Sequence, residues 1–225
     1  MRLSIVIPTF QEAAEIEAAI VSARAVADEV IVVDAASPDG TAELARAAGA
    51  RVVVSGKGRG QQLVLGARAA SGDVLMFLHA DARVPIEARA AIEKSLADPA
   101  VVGGNFYLRF EPQTRVARLF TWGNDVRRRV LRIYYGDSAI FVRRPVYEAM
   151  GGFRPLPIME DFEFVQRLEQ VGVTRYVRDV VTTVSARRFS RSPLRALIVW
   201  VLIQSLYSSG VSAARLAPLY RDLRS

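Results

Sequence analysis

A chain of 225 residues, 51% hydrophobic and without cysteine, is long and apolar enough for one large α/β domain; it excludes disulfides, zinc–thiolate centres and thiol nucleophiles. A formal charge of +7, with arginine far outnumbering lysine, favours anionic partners: nucleoside diphosphates, acidic lipid surfaces or nucleic acid. No zinc-finger or RNA-recognition signature accompanies that charge, so nucleic acid is set aside.

Residues 3–7, Leu-Ser-Ile-Val-Ile, open the chain as a strand, without the charged and apolar regions of a signal peptide, and the expected location is cytoplasmic. Pro8 and Thr9 lead into a helical pattern over about 12–26. Residues 30–33 make a second buried strand ending at Asp34, and the cluster Ser37-Pro38-Asp39-Gly40-Thr41 starts a helix over 42–48. A third strand, 51–54, precedes a glycine-rich loop at 55–60 and a helix through Ala70. The apolar run from Val74 to Leu78 then reads as a strand buried on both faces, stopping at His79 and Asp81. Residues two apart on an extended segment point the same way, so both can address one target at the carboxyl end of the strand. Open α/β sheets bind ligands at that edge, and a dication carrying a diphosphate suits an oxygen donor placed there.

Strands alternating with helices predict a doubly wound, mostly parallel sheet over the first hundred residues. A helix at 85–96 follows, then a long strand at 101–110 and an arginine-rich helix at 116–133. A short strand at 139–142, helices at 147–150 and 161–171, and one or two edge strands at 176–186 complete a more mixed second half. The expected organisation is a single domain: a donor half to about residue 100, an acceptor half over 101–190, and C-terminal helices over 191–225. Residues 194–207 are apolar nearly all round but shorter than the roughly 20 residues that span a bilayer. The first reading is a core or homodimer-interface helix. The second is a helix resting on a membrane surface, aided by Arg187, Arg188, Arg191 and Arg195.

Five constellations carry candidate chemistry. Pro8, Thr9 and Glu12 border a strand-to-helix loop whose backbone N–H groups suit an anion, or which is simply a capped turn. Asp34 can accept from a uracil N–H or a ribose hydroxyl, while Asp39 reads as a helix cap. The loop at 56–60 lacks the established phosphate-binding spacings, though Lys57 and Arg59 are suited to hold a nucleotide. His79 and Asp81 are acceptable manganese ligands, His79 less so for magnesium. Gly151 and Gly152 permit a tight loop. Glu160 and Asp161 either favour a helix N-terminus or supply one general base, since adjacent helical residues point about a hundred degrees apart. Arg187 and Arg188 either neutralise a leaving diphosphate or form a solvated surface.

Taken in order, these motifs resemble the family 2 glycosyltransferases, inverting enzymes with the GT-A fold. Ser4-Ile5-Val6-Ile7-Pro8-Thr9 with Glu12 looks like that family's first strand and loop, and Val32-Val33-Asp34 through Thr41 like its nucleotide loop. Alanines stand at Ala35 and Ala36 where Asp and Gly are usual. Leu78-His79-Ala80-Asp81 occupies the place of the Asp-x-Asp motif, with His79 for the first aspartate. Gly151-Gly152-Phe153 and Glu160-Asp161 look like the acceptor loop and acidic pair. Phe189 follows the arginine pair where processive synthases have tryptophan, which argues against polymer synthesis. The His-Ala-Asp variant and the Ser-Ala-Arg-Arg ending are most similar to a small bacterial subgroup associated with arsenosugar biosynthesis and radical-SAM proteins.

The resemblance implies transfer of a sugar from a nucleoside diphosphate donor, UDP-linked, to a small-molecule or lipid-linked acceptor with inversion. On that reading Pro8, Thr9, Glu12, Asp34, Arg59, Arg187 and Arg188 hold the donor. His79 and Asp81 hold a divalent metal, Mn2+ or Mg2+. Asp161 is the base, Glu160 orients the loop, and Gly136, Asp137, Gly151 and Gly152 line the acceptor cleft. The rivals are a non-catalytic nucleotide-sugar or membrane-surface binding protein, and a sugar nucleotidyltransferase, whose arginine- and lysine-bearing glycine loop is not found after the first strand.

Overall fold

The computed structural model describes residues 1–188 and 192–221. Its elements in chain order are β1 (Leu3–Thr9), α1 (Ile16–Arg24), β2 (Glu29–Asp34), α2 (Thr41–Ala47), β3 (Arg51–Val54), α3 (Arg59–Ala69), β4 (Val74–Phe77), β5 (Ala82–Arg83) and α4 (Ala88–Leu96). The second half adds β6 (Val101–Glu111), α5 (Arg115–Leu131), β7 (Ile140–Arg143), α6 (Arg144–Ala149), α7 (Glu160–Val171), β8 (Val173–Ser185), α8 (Pro193–Ser208) and α9 (Ala213–Arg221). Short 3-10 turns at Gly136–Ser138 and Ala186–Arg188 precede β7 and follow β8.

One eight-stranded sheet runs in the order β3-β2-β1-β4-β7-β6-β8-β5. The first four strands in this order are mutually parallel, with Thr9 beside Asp34 in the β1–β2 register. Beyond β4 the sheet is mixed: β7 is antiparallel to both β4 and β6, β8 is parallel to β6, and β5 is antiparallel to β8.

Strand alternation divides the core between the faces of the sheet. Leu3, Ile5 and Ile7 of β1 join Ile16, Ile20 and Ala23 of α1 and Ile92 of α4 on one side. Val6, Val33, Leu75 and Phe77 join Leu63 of α3 and Phe164, Val165 and Leu168 of α7 on the other. Phe77, Tyr147, Phe153 and Phe164 there form an aromatic cluster, with the Phe153 and Phe164 rings stacked at 4.3 Å. Both sheet faces are covered by helices, which is why the strands read as unbroken apolar runs rather than alternating ones.

Three expectations need correcting. The central strand ends at Phe77, and His79 and Asp81 lie on a turn closed by the Ala82 N–H donating to the His79 carbonyl at 3.0 Å. The argument that residues two apart share a face therefore does not apply to them. The segment predicted as one or two edge strands from residue 176 is the single β8, beginning earlier at Val173; the two-residue β5 covers it only at Thr183 and Val184, so most of its length is at the edge as expected. Finally, α8 is not a core helix. Among its described side chains only Ala196 and Ile203 are buried, while Leu194, Leu197, Ile198, Val201 and Leu202 are exposed. Among the described residues no helix is long and apolar enough to cross a membrane.

Candidate active site

The carboxyl ends of β1 and β2 carry the first cluster. Asp34 is buried and accepts from Thr9 Oγ1 at 2.9 Å, Ser37 Oγ at 2.7 Å and the Ser37 N–H at 2.8 Å. Its charge is thus balanced by hydroxyl and amide dipoles. The neighbouring loops are stitched together in the same manner. Ser37 Oγ accepts from the Gln11 N–H, Thr41 Oγ1 from the Glu12 N–H, and Asp39 from the Ala13 N–H. Asp39 also accepts from the hydroxyl and N–H of Thr41, and these bonds hold its carboxyl below the usual carboxylate range. The cap position of α2 itself falls to Gly40, at φ 82°, one residue later than expected.

Across the same edge, the N-terminus of α7 meets the loop before β7. Asp161 Oδ2 accepts from the Gly136 N–H at 3.0 Å and from Arg59 Nη2 at 3.3 Å, while Oδ1 accepts from the Phe162 N–H at 2.8 Å. Arg59 also pairs with Glu160 and brings Nη1 to 3.5 Å from Nε2 of His79. One guanidinium therefore faces both adjacent carboxylates, although successive helical side chains diverge. Burial pushes the Glu160 carboxyl up, opposed by Arg59 and reinforced by the Asp161 charge. Glycine at 136 leaves room for this approach, since a Cβ there would stand 2.8 Å from His79 Nε2 and displace the imidazole.

The turn carrying His79 links this cluster to a third. Asp81, on the same turn, is buried with its carboxylate 3.6 Å from Arg187 Nη2, and Arg187 also pairs with Glu12. The Asp81 carbonyl accepts from the Ser185 N–H at 3.1 Å, tying the turn to the end of β8. Charged side chains from the β1–α1 loop, the turn after β4, α3, α7 and the 3-10 turn after β8 thus gather at one end of the sheet. Backbone strain gathers there too. Gln11, Ala36, Ala139 and Met159, none of them glycine, hold φ between 51° and 63° in the connections around this edge.

The structure brings together Thr9, Asp34, Arg59, His79, Gly136, Glu160 and Asp161, and brings Glu12 to Asp81 and Arg187. Pro8 is the strand residue paired with Val33, and Asp137 is half-buried in the 3-10 turn. Gly151 and Gly152 both have positive φ, and Gly152 packs so closely on Tyr147 that a Cβ would lie 2.7 Å from its ring. Arg167 holds this loop, donating to the Met150 and Gly152 carbonyls at 2.7 Å. Lys57 lies 4.1 Å over the Phe10 ring, spanning the glycine loop and the β1 loop. The Arg188 side chain and Phe189 lie outside the described residues, as does Arg191.

Sequence reasoning missed Gln62. Buried in α3, it donates to the Thr9 and Val33 carbonyls at 2.7 Å each, fastening the ends of β1 and β2 at the height of Asp34. A polar residue on the stripe shared by Leu63, Gly66 and Ala67 was the available signal. Tyr135 was also missed. Its hydroxyl donates to Gln204 of α8 at 2.6 Å, its ring lies 6.1 Å from that of Phe162, and burial raises its pKa.

An open α/β sheet with a parallel half ending in carboxylates, and a mixed half delivering an acidic helix start to the same edge, defines the GT-A class of fold. The profile of Glycosyl transferase family 2 matches residues 4–157, and the chain belongs to that family. Among solved structures it is similar to the mannosyltransferase PcManGT from Pyrobaculum calidifontis, in complex with GDP-Man and Mn2+. That likeness has 22% identity and a TM-score of 0.69, covering 96% of this chain and 67% of the other. Mannosyl-3-phosphoglycerate synthase from Rubrobacter xylanophilus is similar at 19% identity and TM-score 0.61, over 93% of this chain and 75% of the other. Glucosyl-3-phosphoglycerate synthase from Mycobacterium tuberculosis, in complex with phosphoglyceric acid, gives 23% and 0.61, over 93% and 80%. No curated protein matches the chain.

Proposed function

We propose that this family 2 chain transfers a hexosyl group from a nucleoside diphosphate donor, UDP-linked, to an acceptor hydroxyl with inversion at the anomeric carbon. The observation that carries the reading is the position of Asp161. Its carboxylate is fixed by Gly136 and Arg59 at the sheet edge that also carries Asp34 and Asp81. Asp161 takes the proton of the acceptor hydroxyl as that oxygen attacks from the face opposite the diphosphate. Arg59 and the Gly136 N–H orient it, and Glu160 shares the same guanidinium. Asp34, held by Thr9 and Ser37, accepts from the base or ribose of the donor beside Pro8 and Glu12. Arg187, already drawn to acids at the edge, and Arg188 offset the charge of the departing diphosphate. Asp137, Gly151 and Gly152 border the acceptor side.

The donor set fits a divalent metal. Asp81 presents a buried carboxylate oxygen, and a ring nitrogen on His79 shares its turn, a pairing better suited to Mn2+ than to Mg2+. Among the described residues no group of three or more His, Asp or Glu side chains could hold an ion unaided. Phosphate oxygens and water would complete the shell, as is usual for ions bound with nucleotides. When bound, the ion neutralises charge on the leaving diphosphate. Similar structures contain GDP-Man with Mn2+ in one case and UDP-glucose with Mn2+ in another, which supports the reading and sets the donor panel.

The test is nucleotide release from UDP- and GDP-sugars with Mn2+, for the parent chain and for Asp161→Asn. Release should fall by about 10²–10⁴-fold in the variant, while calorimetric titration with UDP and Mn2+ stays unchanged. Equal loss of binding and turnover would make Asp161 structural. Donor binding without turnover across the panel would favour the binding-protein alternative.

A further inference from the structure

The least explained surface is the outer side of α5 and α8. These helices pack together through Phe120 and Trp200, whose rings meet edge to face at 6.2 Å. With Phe120 turned inward, α5 exposes Val116, Leu119, Trp122 and Val130, and Trp122 is 63% exposed. Ala196 and Ile203 anchor α8 from beneath, while Leu194, Leu197, Ile198, Val201 and Leu202 are exposed. Contiguous exposed apolar side chains of this size mark an interaction surface.

Charge selects the partner. Residues 112–136 contain six arginines and one acid, Asp125; Arg128 and Arg132 face Glu169, and Arg115 and Arg118 are exposed on α5. Asp125 is buried and already engaged by Arg178 and Arg129. Residues 180–221 contain six arginines and no acid at all. A second copy of this chain would bring like charge to such a surface. Apolar side chains and an exposed indole on a helix that also exposes Arg115 and Arg118 match a bilayer of anionic lipid, with indole at headgroup depth and guanidinium groups on phosphates.

We infer that the α5–α8 face docks the protein onto the surface of an anionic lipid bilayer. Docking does not depend on the transferase reading, but one consequence does. The inner side of α8 touches the catalytic edge: Gln204 accepts from Tyr135, next to Gly136, and Tyr207 meets the ring of Phe162, next to Asp161, at 5.9 Å. A bilayer on the outer side of α8 then lies about one helix diameter, ~10 Å, from that edge. Given transfer at Asp161, the acceptor class is a lipid-linked molecule presented from the membrane.

The test is co-sedimentation of the full chain with phosphatidylglycerol–phosphatidylcholine vesicles and with pure phosphatidylcholine vesicles. Binding should require the anionic lipid and weaken with salt. Reversing Arg115 and Arg118 to glutamate should reduce it about fivefold or more per residue. Ile198→Ser with Val201→Ser should reduce it as well, with thermal melts confirming that both variants fold. In Trp200→Phe, leaving Trp122 as the sole indole, emission should shift blue on binding and be quenched by brominated lipid. Equal binding to neutral vesicles, indifference to the arginine reversals, or no binding by folded protein would each overturn the inference. So would concentration-dependent dimerisation that is abolished by Ile198→Ser with Val201→Ser while vesicles are ignored.

Discussion

The two halves of the sheet hold their edge carboxylates by different means. On the parallel side, Asp34 and Asp39 are satisfied by hydroxyl and amide dipoles from adjoining loops. On the mixed side, Glu160 and Asp161 face a guanidinium. That guanidinium, Arg59, comes from α3 in the first half, and the second half returns one: Arg187, at the end of β8, pairs with Glu12 and approaches Asp81. Dipoles organise each loop of the parallel side locally, whereas arginines exchanged between the halves bind the two sides of the edge together. Placement of the edge acids thus depends on both halves being folded.

The sharpest test removes one exchanged cation. Arg59→Met leaves two adjacent buried carboxylates without their counter-charge, and equilibrium denaturation should show a loss of about 3 kcal/mol. Adding Glu160→Gln should restore much of it, because the second change removes one of the stranded charges. Asp34→Asn probes the dipole-held side. It presents an amide donor to groups that themselves donate, with an expected loss of about 1–2 kcal/mol in the same assay. Equal losses at Arg59 and Asp34 would erase the distinction between the halves. The smallest effect is Ala36→Gly, which relieves a left-handed alanine at φ 51° and should gain up to about 1 kcal/mol. A loss there would mean that the loop tolerates alanine without strain.

The parallel half was legible because its signals are local. Apolar runs bounded by Asp34 or Ser71-Gly72-Asp73 locate the strands, and β3 begins and ends where its pattern indicates. The departure at Ala36 could also be read, since alanine stands where glycine is usual and the chain does adopt the conformation glycine favours. The mixed half was less legible because its geometry depends on distant partners. Nothing around residues 82–83 announces a two-residue strand until β8 is beside it. Arg59, some hundred residues from Glu160 in sequence, gave no local hint that its guanidinium faces the two acids. His79 and Asp81 were found as a pair, but the turn that separates their neighbours depends on the contact of Asp81 with Ser185.

The ends of the sheet bear on how the protein survives in concentrated solution. β3 has four residues and begins with an exposed arginine, and β5 has two. The β3 rim therefore offers no long, flat ladder of unused backbone groups to another chain. β6 is enclosed between β7 and β8, whereas β5 covers β8 only at Thr183 and Val184, so residues 173–182 are where another chain would find a strand edge.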